Sequence, residues 1–153
     1  MLHPYLRERL CGRIAVAPTA SMDEIRSAAL ALEAEEKRTR EAALIEKLRA
    51  GVNTGQRAAA GLDPVLRALQ ERRVEQLLVS AGFTQPGWSC KSCEALATIG
   101  RTCPVCGTEG MEAVDDVVEE AVDHSLAQGV KVHVCDGNAD LDVLGRVGAL
   151  LRY

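Results

Sequence analysis

Aromatic residues are scarce in this 153-residue sequence, which contains one tryptophan, two tyrosines and one phenylalanine. A protein that binds single-stranded nucleic acid by stacking needs an aromatic platform, and this composition argues against one. The core must be built from Leu, Val, Ile and Ala, since hydrophobic residues still make up 47% of the chain. The length suits one domain with an appendage, or two very small units.

Long apolar runs and an excess of basic charge are also missing. No stretch has the length of a membrane span or the character of a secretory signal, so we expect a cytoplasmic protein with no membrane partner. The formal net charge is -4. Because phosphate neutralisation dominates affinity for nucleic acids, we expect only weak direct binding to RNA.

Six cysteines are present, and four of them form two C-x-x-C pairs, Cys90 with Cys93 and Cys103 with Cys106. Two such pairs, nine residues apart, are typical of a tetrahedral site in which four thiolates bind Zn²⁺. Four thiolates fill the coordination shell of zinc and leave no position for water or substrate. The predicted role of the metal is therefore structural.

The two predicted cysteine turns differ at one position. Gly107 follows the second pair and tolerates a positive φ angle, whereas Glu94 stands at the equivalent position after the first pair. Two other interpretations of the four cysteines stay open at this point, namely four unrelated buried thiols or two disulfides. The remaining cysteines, Cys11 and Cys135, are expected to be buried free thiols.

The N-terminal third predicts one short strand over residues 12–17 and one long helix. Ser21 and Glu24 have the spacing of a capping box, which predicts a helix start at Met22. Nothing interrupts the helical pattern before Gly51, which we take as its C-terminal stop. The charged run at residues 33–41 is interpreted as a solvated helix segment.

The rest of the chain alternates between helix and strand patterns, which predicts an α/β fold with a central sheet covered by helices. Asp63 is the expected N-cap of the first of these helices, with Pro64 in its first turn. The predicted order is a loop at 51–61, a helix at 63–70, a strand at 74–79, the cysteine segment at 86–109, a helix at 114–128, a strand at 130–135, a short helix at 140–144 and a strand at 148–153.

Four segments carry a resemblance to a known family. They are GLDPVLRALQERRVEQLLVS (61–80), VDDVVEEAVDHSLAQG (114–129), VKVHV (130–134) and the terminal LGRVGALLRY (144–153). Together they resemble the C-terminal domain of archaeal and eukaryotic-type class I peptide chain release factors, a domain shared with Pelota-type rescue factors. Archaeal-type relatives carry paired cysteines in the same insertion, and the family's tail ends in L-R-Y, as this chain does. The chain thus resembles a bacterial, zinc-containing member of this superfamily.

The resemblance implies a three-layer α/β/α sandwich like that of ribosomal proteins that bind kink-turn RNA. A zinc-ribbon-like insertion at 86–109 and an N-terminal long helix would complete it. Residues 41–153 would form the release-factor C-terminal-like domain, and residues 1–40 would be a remnant of the family's central domain. The family's C-terminal domain positions the factor and binds an accessory translational GTPase.

Two departures from the family matter for function. Release chemistry in the family depends on a Gly-Gly-Gln loop of the central domain, and the nearest match here, Asn53-Thr54-Gly55-Gln56, lacks one glycine. A catalytic Gln56 is therefore not expected. Kink-turn RNA binders place Asn-Glu near the start of the first helix, where this chain has residues 61–64, GLDP. This departure argues against kink-turn recognition.

Several other residues are candidates only in a weaker sense. His124 and His133 are expected to be surface or half-buried side chains, and no catalytic constellation has a local signature. Trp88 is expected to pack over the zinc module, with an exposed partner anchor as the alternative, and Tyr153 is expected to be buried against the sheet. The paired acids of residues 115–120 are interpreted as a solvated helix face, with a surface for a basic partner as the alternative.

The sequence leads to three functional hypotheses. The first is a non-catalytic domain, not an enzyme and without a small-molecule substrate. It would bind the ribosome or a translational GTPase through protein contacts, in termination, rescue or hibernation. The second is part of a peptidyl-tRNA hydrolase whose catalytic loop lies upstream. The third is a zinc-stabilised protein-interaction module unrelated to translation. In each case the expected cofactor is structural Zn²⁺ on Cys90, Cys93, Cys103 and Cys106.

Overall fold

The computed structural model describes residues 4–7, 10 and 12–153 and divides the chain into two compact units, Met1–Leu44 and Ile45–Tyr153. Cys11, predicted to be a buried thiol, lies outside the described residues. The boundary that we predicted between residues 40 and 41 concerns the origin of the two parts within a family, and it stays a prediction. No helix of the described chain is long and apolar enough to cross a membrane.

The first unit contains helix α1 (Pro4–Arg7) and most of the long helix α2 (Met22–Thr54). The predicted capping box at the start of α2 is confirmed. The Ser21 N–H donates to Glu24 Oε2 at 2.7 Å, and the Glu24 N–H donates to Ser21 Oγ at 3.2 Å. Residues 33–40 are almost all exposed, as the charge run predicted, but Glu41, the last residue of that predicted solvated run, is buried.

The strand that we predicted at residues 12–17 is wrong, since this segment forms neither helix nor strand. Within the described residues of the first unit there is no strand with which it could pair, and an isolated strand is not stable in water. The segment instead runs close to α2. A Cβ atom at Gly12 would lie 2.8 Å from Leu32 Cδ1, so the backbone approaches the helix at a glycine.

The second unit is built on a mixed four-stranded sheet with strand order β1-β7-β2-β6. The strands are β1 (Ala58–Ala60), β2 (Val74–Ser80), β6 (Lys131–Cys135) and β7 (Val147–Leu151). β2 and β6 are parallel, whereas β7 is antiparallel to both β1 and β2. The sequence did not predict β1, because three alanines have little strand propensity. The strand forms because its backbone pairs with β7.

Helices cover both faces of this sheet and give the predicted three-layer α/β/α sandwich. On one face, α3 (Leu62–Gln70) and α4 (Val117–Ala127) pack on Leu77 and Val79 of β2. On the other face lie the last turns of α2 and the short helix α5 (Ala139–Val143), which are joined by an ion pair of 2.5 Å between Arg49 and Asp140. Leu78 is fully buried because it faces this second side.

Three element boundaries differ from the prediction for identifiable reasons. α2 continues past Gly51 to Thr54, since Gly51 serves a close contact: a Cβ there would lie 2.6 Å from the Cβ of Ala58. α3 is preceded by Gly61 at its N-cap, without a side-chain cap. Asp63 lies inside its first turn, where the carboxylate accepts a hydrogen bond from Thr98 Oγ1. α4 starts at Val117, because Asp116 is its N-cap and accepts from the Val118 N–H at 2.9 Å.

The cysteine segment forms a small antiparallel sheet of its own between β2 and α4. Its strands are β3 (Gly87–Ser89), β4 (Leu96–Ala97) and β5 (Glu112–Val114), in the order β4-β3-β5. This sheet corresponds to the zinc-ribbon-like insertion that the resemblance implied at 86–109, but the unpredicted strand β5 extends it to Val114. The insertion is docked on the domain, because Leu96 is part of the same core cluster as Leu69 and Val117.

Candidate metal centre

The two C-x-x-C pairs form two turns with the same hydrogen-bond pattern. In the first, the Cys90 N–H donates to Ala95 O at 2.9 Å, and the Glu94 N–H donates to Cys90 O at 2.8 Å. In the second turn, the Cys103 N–H donates to Thr108 O at 2.9 Å, and the Gly107 N–H donates to Cys103 O at 3.0 Å. The sequence spacing thus produces two equivalent turns.

Glu94 and Gly107 occupy equivalent positions in these turns and have similar backbone angles, with φ of 59° and 71°. The left-handed region is open to glycine at no steric cost but disfavours a residue with a Cβ atom. The sequence already placed Glu94 where a glycine was expected. The structure shows that the backbone there adopts the conformation that glycine prefers.

The turns bring the four cysteine sulfurs together, with all of them within 4.8 Å of one another. The Sγ atoms of Cys90 and Cys106 are 3.6 Å apart, and those of Cys93 and Cys103 are 3.5 Å apart. A tetrahedral Zn–S bond of about 2.3 Å gives an S–S edge of about 3.8 Å, so the spacing fits one ion held by four thiolates. None of the five cysteines that the structure describes forms a disulfide.

The four sulfurs differ in burial and in their hydrogen bonds. Cys90 and Cys103 are each 2% exposed, whereas Cys93 is half-buried and Cys106 is exposed. Cys103 Sγ accepts a hydrogen bond from the Val105 N–H at 3.4 Å, and Cys106 Sγ lies 3.1 Å from Thr108 Oγ1. Thr108 is a neighbour of the site that our sequence analysis missed. Its only signal was its position two residues after the last cysteine.

The surroundings of these thiols give them different pKa values. Hydrogen bonds from the side chain and the backbone of Thr108 lower the pKa of Cys106 to about 6. A backbone hydrogen bond at Ala95 lowers the pKa of Cys93, but burial and the three neighbouring sulfurs outweigh it and raise the pKa to about 12. Burial raises the pKa of Cys103, yet backbone hydrogen bonds at Cys106 and Val105 outweigh it, so this pKa is lowered. The thiols therefore differ in how easily they ionise. A bound cation would stabilise the thiolate form of all four.

A small apolar cluster supports the centre from one side. Cys90 and Cys103 pack with Ala95, Ala97 and Met111, and Trp88 is a half-buried member at the edge of this cluster. Trp88 therefore packs on the cysteine module, as predicted. The exposed apolar residues of the module are instead Ile99, at 81% exposure, and Val105, at 57%.

The other candidate residues are not brought to this centre. Among the described residues, the four cysteines are the one group of three or more His, Cys, Asp or Glu side chains placed to hold a metal ion. His133 lies 3.0 Å from Gln76 Oε1 on the main sheet. Gln56 follows the end of α2, where its N–H donates to Gly51 O at 2.9 Å. These positions give no assembled catalytic group around either side chain.

The chain terminus differs from the expectation. We expected Tyr153 to be buried against the sheet, but its side chain is 68% exposed, so that expectation is wrong. β7 ends at Leu151, and the terminal residue extends beyond the last strand pairing. The guanidinium of Arg73 lies 5.9 Å from the centre of the tyrosine ring.

No family model matches this chain, and no curated protein sequence matches it. Solved structures do. The C-terminal domain of peptide chain release factor from Methanosarcina mazei matches with a TM-score of 0.63 and 20% identity, covering 90% of this chain and 98% of that one. Pelota from Archaeoglobus fulgidus matches with a TM-score of 0.59 and 22% identity, covering 92% of this chain but 39% of Pelota. At these identities the likeness establishes a shared fold.

Proposed function

We propose that this chain is a non-catalytic, zinc-stabilised interaction domain of the translation machinery. Its partner would be the ribosome or a translational GTPase, and its role would be in termination, rescue or hibernation. The observation that carries the proposal is the fold-level likeness along nearly the whole of the Methanosarcina mazei release-factor domain. The quoted sequence segments that resemble the same family support it independently. A bacterial origin and a cytoplasmic location belong to this proposal.

Zinc is the metal that best suits the four-cysteine centre. Cys90, Cys93, Cys103 and Cys106 would hold it, and the sulfur spacing supports a tetrahedral ion. Zinc bound in this way would contribute folding energy by holding the two cysteine turns together. It would supply no Lewis-acid chemistry, because four thiolates occupy every position in its shell. The centre therefore supports a binding role for the domain.

The surface favours protein contacts over phosphate contacts. Glu119 is exposed on α4 and Glu120 is half-buried beside it, and both belong to a chain of net charge -4. Ile99 and Val105 add exposed apolar area on the cysteine module. An acidic helix and exposed apolar side chains suit contact with a protein surface that has basic residues, whereas the phosphates of RNA would be repelled.

Co-sedimentation with purified bacterial ribosomes tests the proposal. The wild-type chain should pellet with ribosomes, and a double charge reversal, Glu119→Lys with Glu120→Lys, should weaken this association about tenfold. The matched control reverses two acids of α2, Glu33→Lys with Glu36→Lys, which changes the net charge equally and should leave pelleting unchanged.

A second arm uses naked ribosomal RNA at increasing salt concentration. Weak binding is expected, and binding to intact ribosomes should depend only shallowly on salt, since few phosphates are neutralised. Tight binding to naked RNA that weakens steeply with salt would contradict the proposed protein contacts. If the chain neither pellets with ribosomes nor binds a translational GTPase, the proposal is wrong. The hypothesis of an interaction module unrelated to translation would then be favoured.

A further inference from the structure

A polar cleft of about 160 Å³ lies between the C-terminal ends of α3 and α4 and the first cysteine turn. We call it the α3–α4 cleft. Its polar wall is formed by Gln70 and Arg72 at the end of α3, by Cys93 and Glu94 of the first cysteine turn, and by His124 and Gln128 at the end of α4. Buried leucines of the main core, Leu69 and Leu96 among them, close its floor.

Most of these polar side chains have no partner within the described part of the chain. The side chains of Gln70, Arg72, Glu94 and His124 make no hydrogen bond or ion pair there. Gln128 uses its amide nitrogen to donate to Leu69 O at 3.3 Å, which leaves its side-chain oxygen available. A concave site with several uncommitted polar groups is the usual form of a binding site for a small polar group.

The electrostatic balance of the cleft favours a cation. Two helices, α3 and α4, direct their C-terminal ends toward it, and a helix C-terminus carries a partial negative charge. The Glu94 carboxylate adds a full negative charge, and the amide oxygens of Gln70 and Gln128 add neutral acceptors. Glu120 lies one helical turn before His124 on the same face of α4. Against these stands the guanidinium of Arg72, which is exposed at the rim.

Glu94 is also in a conformation that a glycine would adopt more easily. Its φ angle is 59°, and its counterpart in the second turn is Gly107. The carboxylate makes no contact within the described chain that would explain the choice of a larger residue. Residues held in sparsely populated backbone regions cluster at functional sites. A carboxylate at this position, facing an uncommitted cleft, points to a ligand.

We propose that the α3–α4 cleft binds one cationic side chain, an arginine guanidinium, from a basic segment of a protein partner. The planar guanidinium matches a carboxylate in a two-point hydrogen bond, which Glu94 would accept, and the volume suits a single side chain. The inference rests on the proposed function only in assigning the arginine to a protein. The site itself follows from the cleft.

The test is a titration of the full chain, as purified with its metal, followed by ¹H–¹⁵N NMR. The probe is N-acetyl-arginine amide, with N-acetyl-lysine amide, acetate and inorganic phosphate as comparison ligands. The arginine probe should cause saturable shifts in the amides of residues 70–72, 94–96 and 124–128. Lysine should bind more weakly at the same amides, and neither anion should shift them.

Three variants should change the affinity for the arginine probe in different ways, and this pattern distinguishes a cation site from other kinds of site. Glu94→Gln should weaken binding of the arginine probe about three- to fivefold, as expected for one partly exposed charge pair. Arg72→Gln should tighten it about twofold, because a like charge at the rim is removed. Glu75→Gln changes an exposed acid of β2 that does not line the cleft, so it should leave binding unchanged. Metal content is measured for each variant.

Glu94→Gly separates binding from folding. It should abolish much of the arginine affinity and raise the thermal midpoint, since glycine relieves the left-handed backbone. A lower midpoint would give Glu94 a structural role and overturn the inference. So would shifts induced by phosphate or acetate that Arg72→Gln removes, or the absence of saturable shifts with the arginine probe. None of these outcomes depends on ribosome pelleting, so the two proposals fail separately.

Discussion

At the scale of single residues, the four thiols have a common difficulty. Sulfurs within 4.8 Å of one another cannot all be ionised without a balancing cation, and the pKa values of about 6 for Cys106 and about 12 for Cys93 express this. The metal must therefore displace a proton from Cys93 at neutral pH, whereas Cys106 is already a thiolate. Binding of a metal by four thiolates would therefore be linked to pH, with Cys106 ionised and Cys93 protonated at neutral pH.

Zinc affinity should accordingly decrease as the pH is lowered, and the decrease should have a different slope in each of two pH ranges. Near pH 7.5 the metal must displace the Cys93 proton together with any other proton that the four cysteines still carry, and below about pH 6 it must displace the Cys106 proton as well. Each displaced proton makes the dissociation constant rise about tenfold per pH unit, so the slope steepens by about one proton below pH 6. Chelator competition at pH 5.5, 6.5 and 7.5 measures this.

A matched control for the pH experiment is Cys135→Ser. Cys135 is buried and forms no disulfide, and it lies outside the four-cysteine group, so its replacement should leave the profile unchanged. A zinc affinity that does not vary with pH would show that the thiols are not the ligands.

At the scale of helices and strands, the packing of α2 on β7 depends on one glycine. A Cβ atom at Gly148 would lie 2.9 Å from Leu48 Cδ1 and even closer to Cδ2. Leu48 is fully buried, so its side chain has no free space into which it can move. The helix thus reaches the sheet at a position where the strand has no side chain.

Gly148→Ala should destabilise the domain by about 1–3 kcal/mol through overpacking. Leu48→Ala should cost about 2–5 kcal/mol through the cavity that it leaves. The double variant should cost less than the sum of the two, because each change relieves the other. Urea unfolding of all four proteins measures the cycle, and strict additivity would contradict the close approach.

The elements that sequence predicted best are those with local causes. The capping box at Ser21 and Glu24 needs only neighbours three residues apart, and the strand β2 is marked by the short apolar run at 77–79. Gly51 misled the prediction because its reason is tertiary, namely the approach of Ala58, and no local pattern carries that information. The strand β1 was missed for the same reason, since its pairing with β7 lies ninety residues further along the chain.

At the scale of the whole molecule, the insertion is attached to the rest of the fold by packing as well as by the hydrogen bond from Thr98 to Asp63. Leu96 belongs to the main core, and Gly87 comes so close to α4 that a Cβ there would lie 2.7 Å from the Cβ of Val117. The spacing of the two C-x-x-C pairs alone predicted that the four cysteines would cluster. It could not predict this docking or the α3–α4 cleft that results, because both arise from the meeting of distant segments.

Removal of the metal should therefore loosen the insertion and weaken the core without dismantling it. Cys103→Ser should abolish metal binding, shift the emission of Trp88 to longer wavelength and keep most of the helical far-UV signal. The free energy of unfolding should fall by about 2–5 kcal/mol, as for loss of one buried leucine from a core. Cys135→Ser is the control with an equally buried thiol, and it should keep both the metal and the Trp88 emission.

A loss of most helical signal in Cys103→Ser would instead mean that the metal holds the entire fold. Elemental analysis of both proteins must accompany the spectra, so that any change can be assigned to the metal. Comparison of Cys103→Ser with Cys135→Ser then distinguishes the effect of losing a buried thiol from the effect of losing the ion.

The order of events in folding is shaped by the place of the insertion. β2 ends at Ser80 and its parallel neighbour β6 begins at Lys131, so this central pairing must wait for a loop of fifty residues to close. The insertion folds back on itself where β3 pairs with β5, which shortens the loop that must close by about half. Each halving of a loop is worth about 0.6 kcal/mol in closure entropy. With zinc bound early, the chain would reach its native topology up to about threefold faster, so the ion would act on the speed of folding as well as on its endpoint.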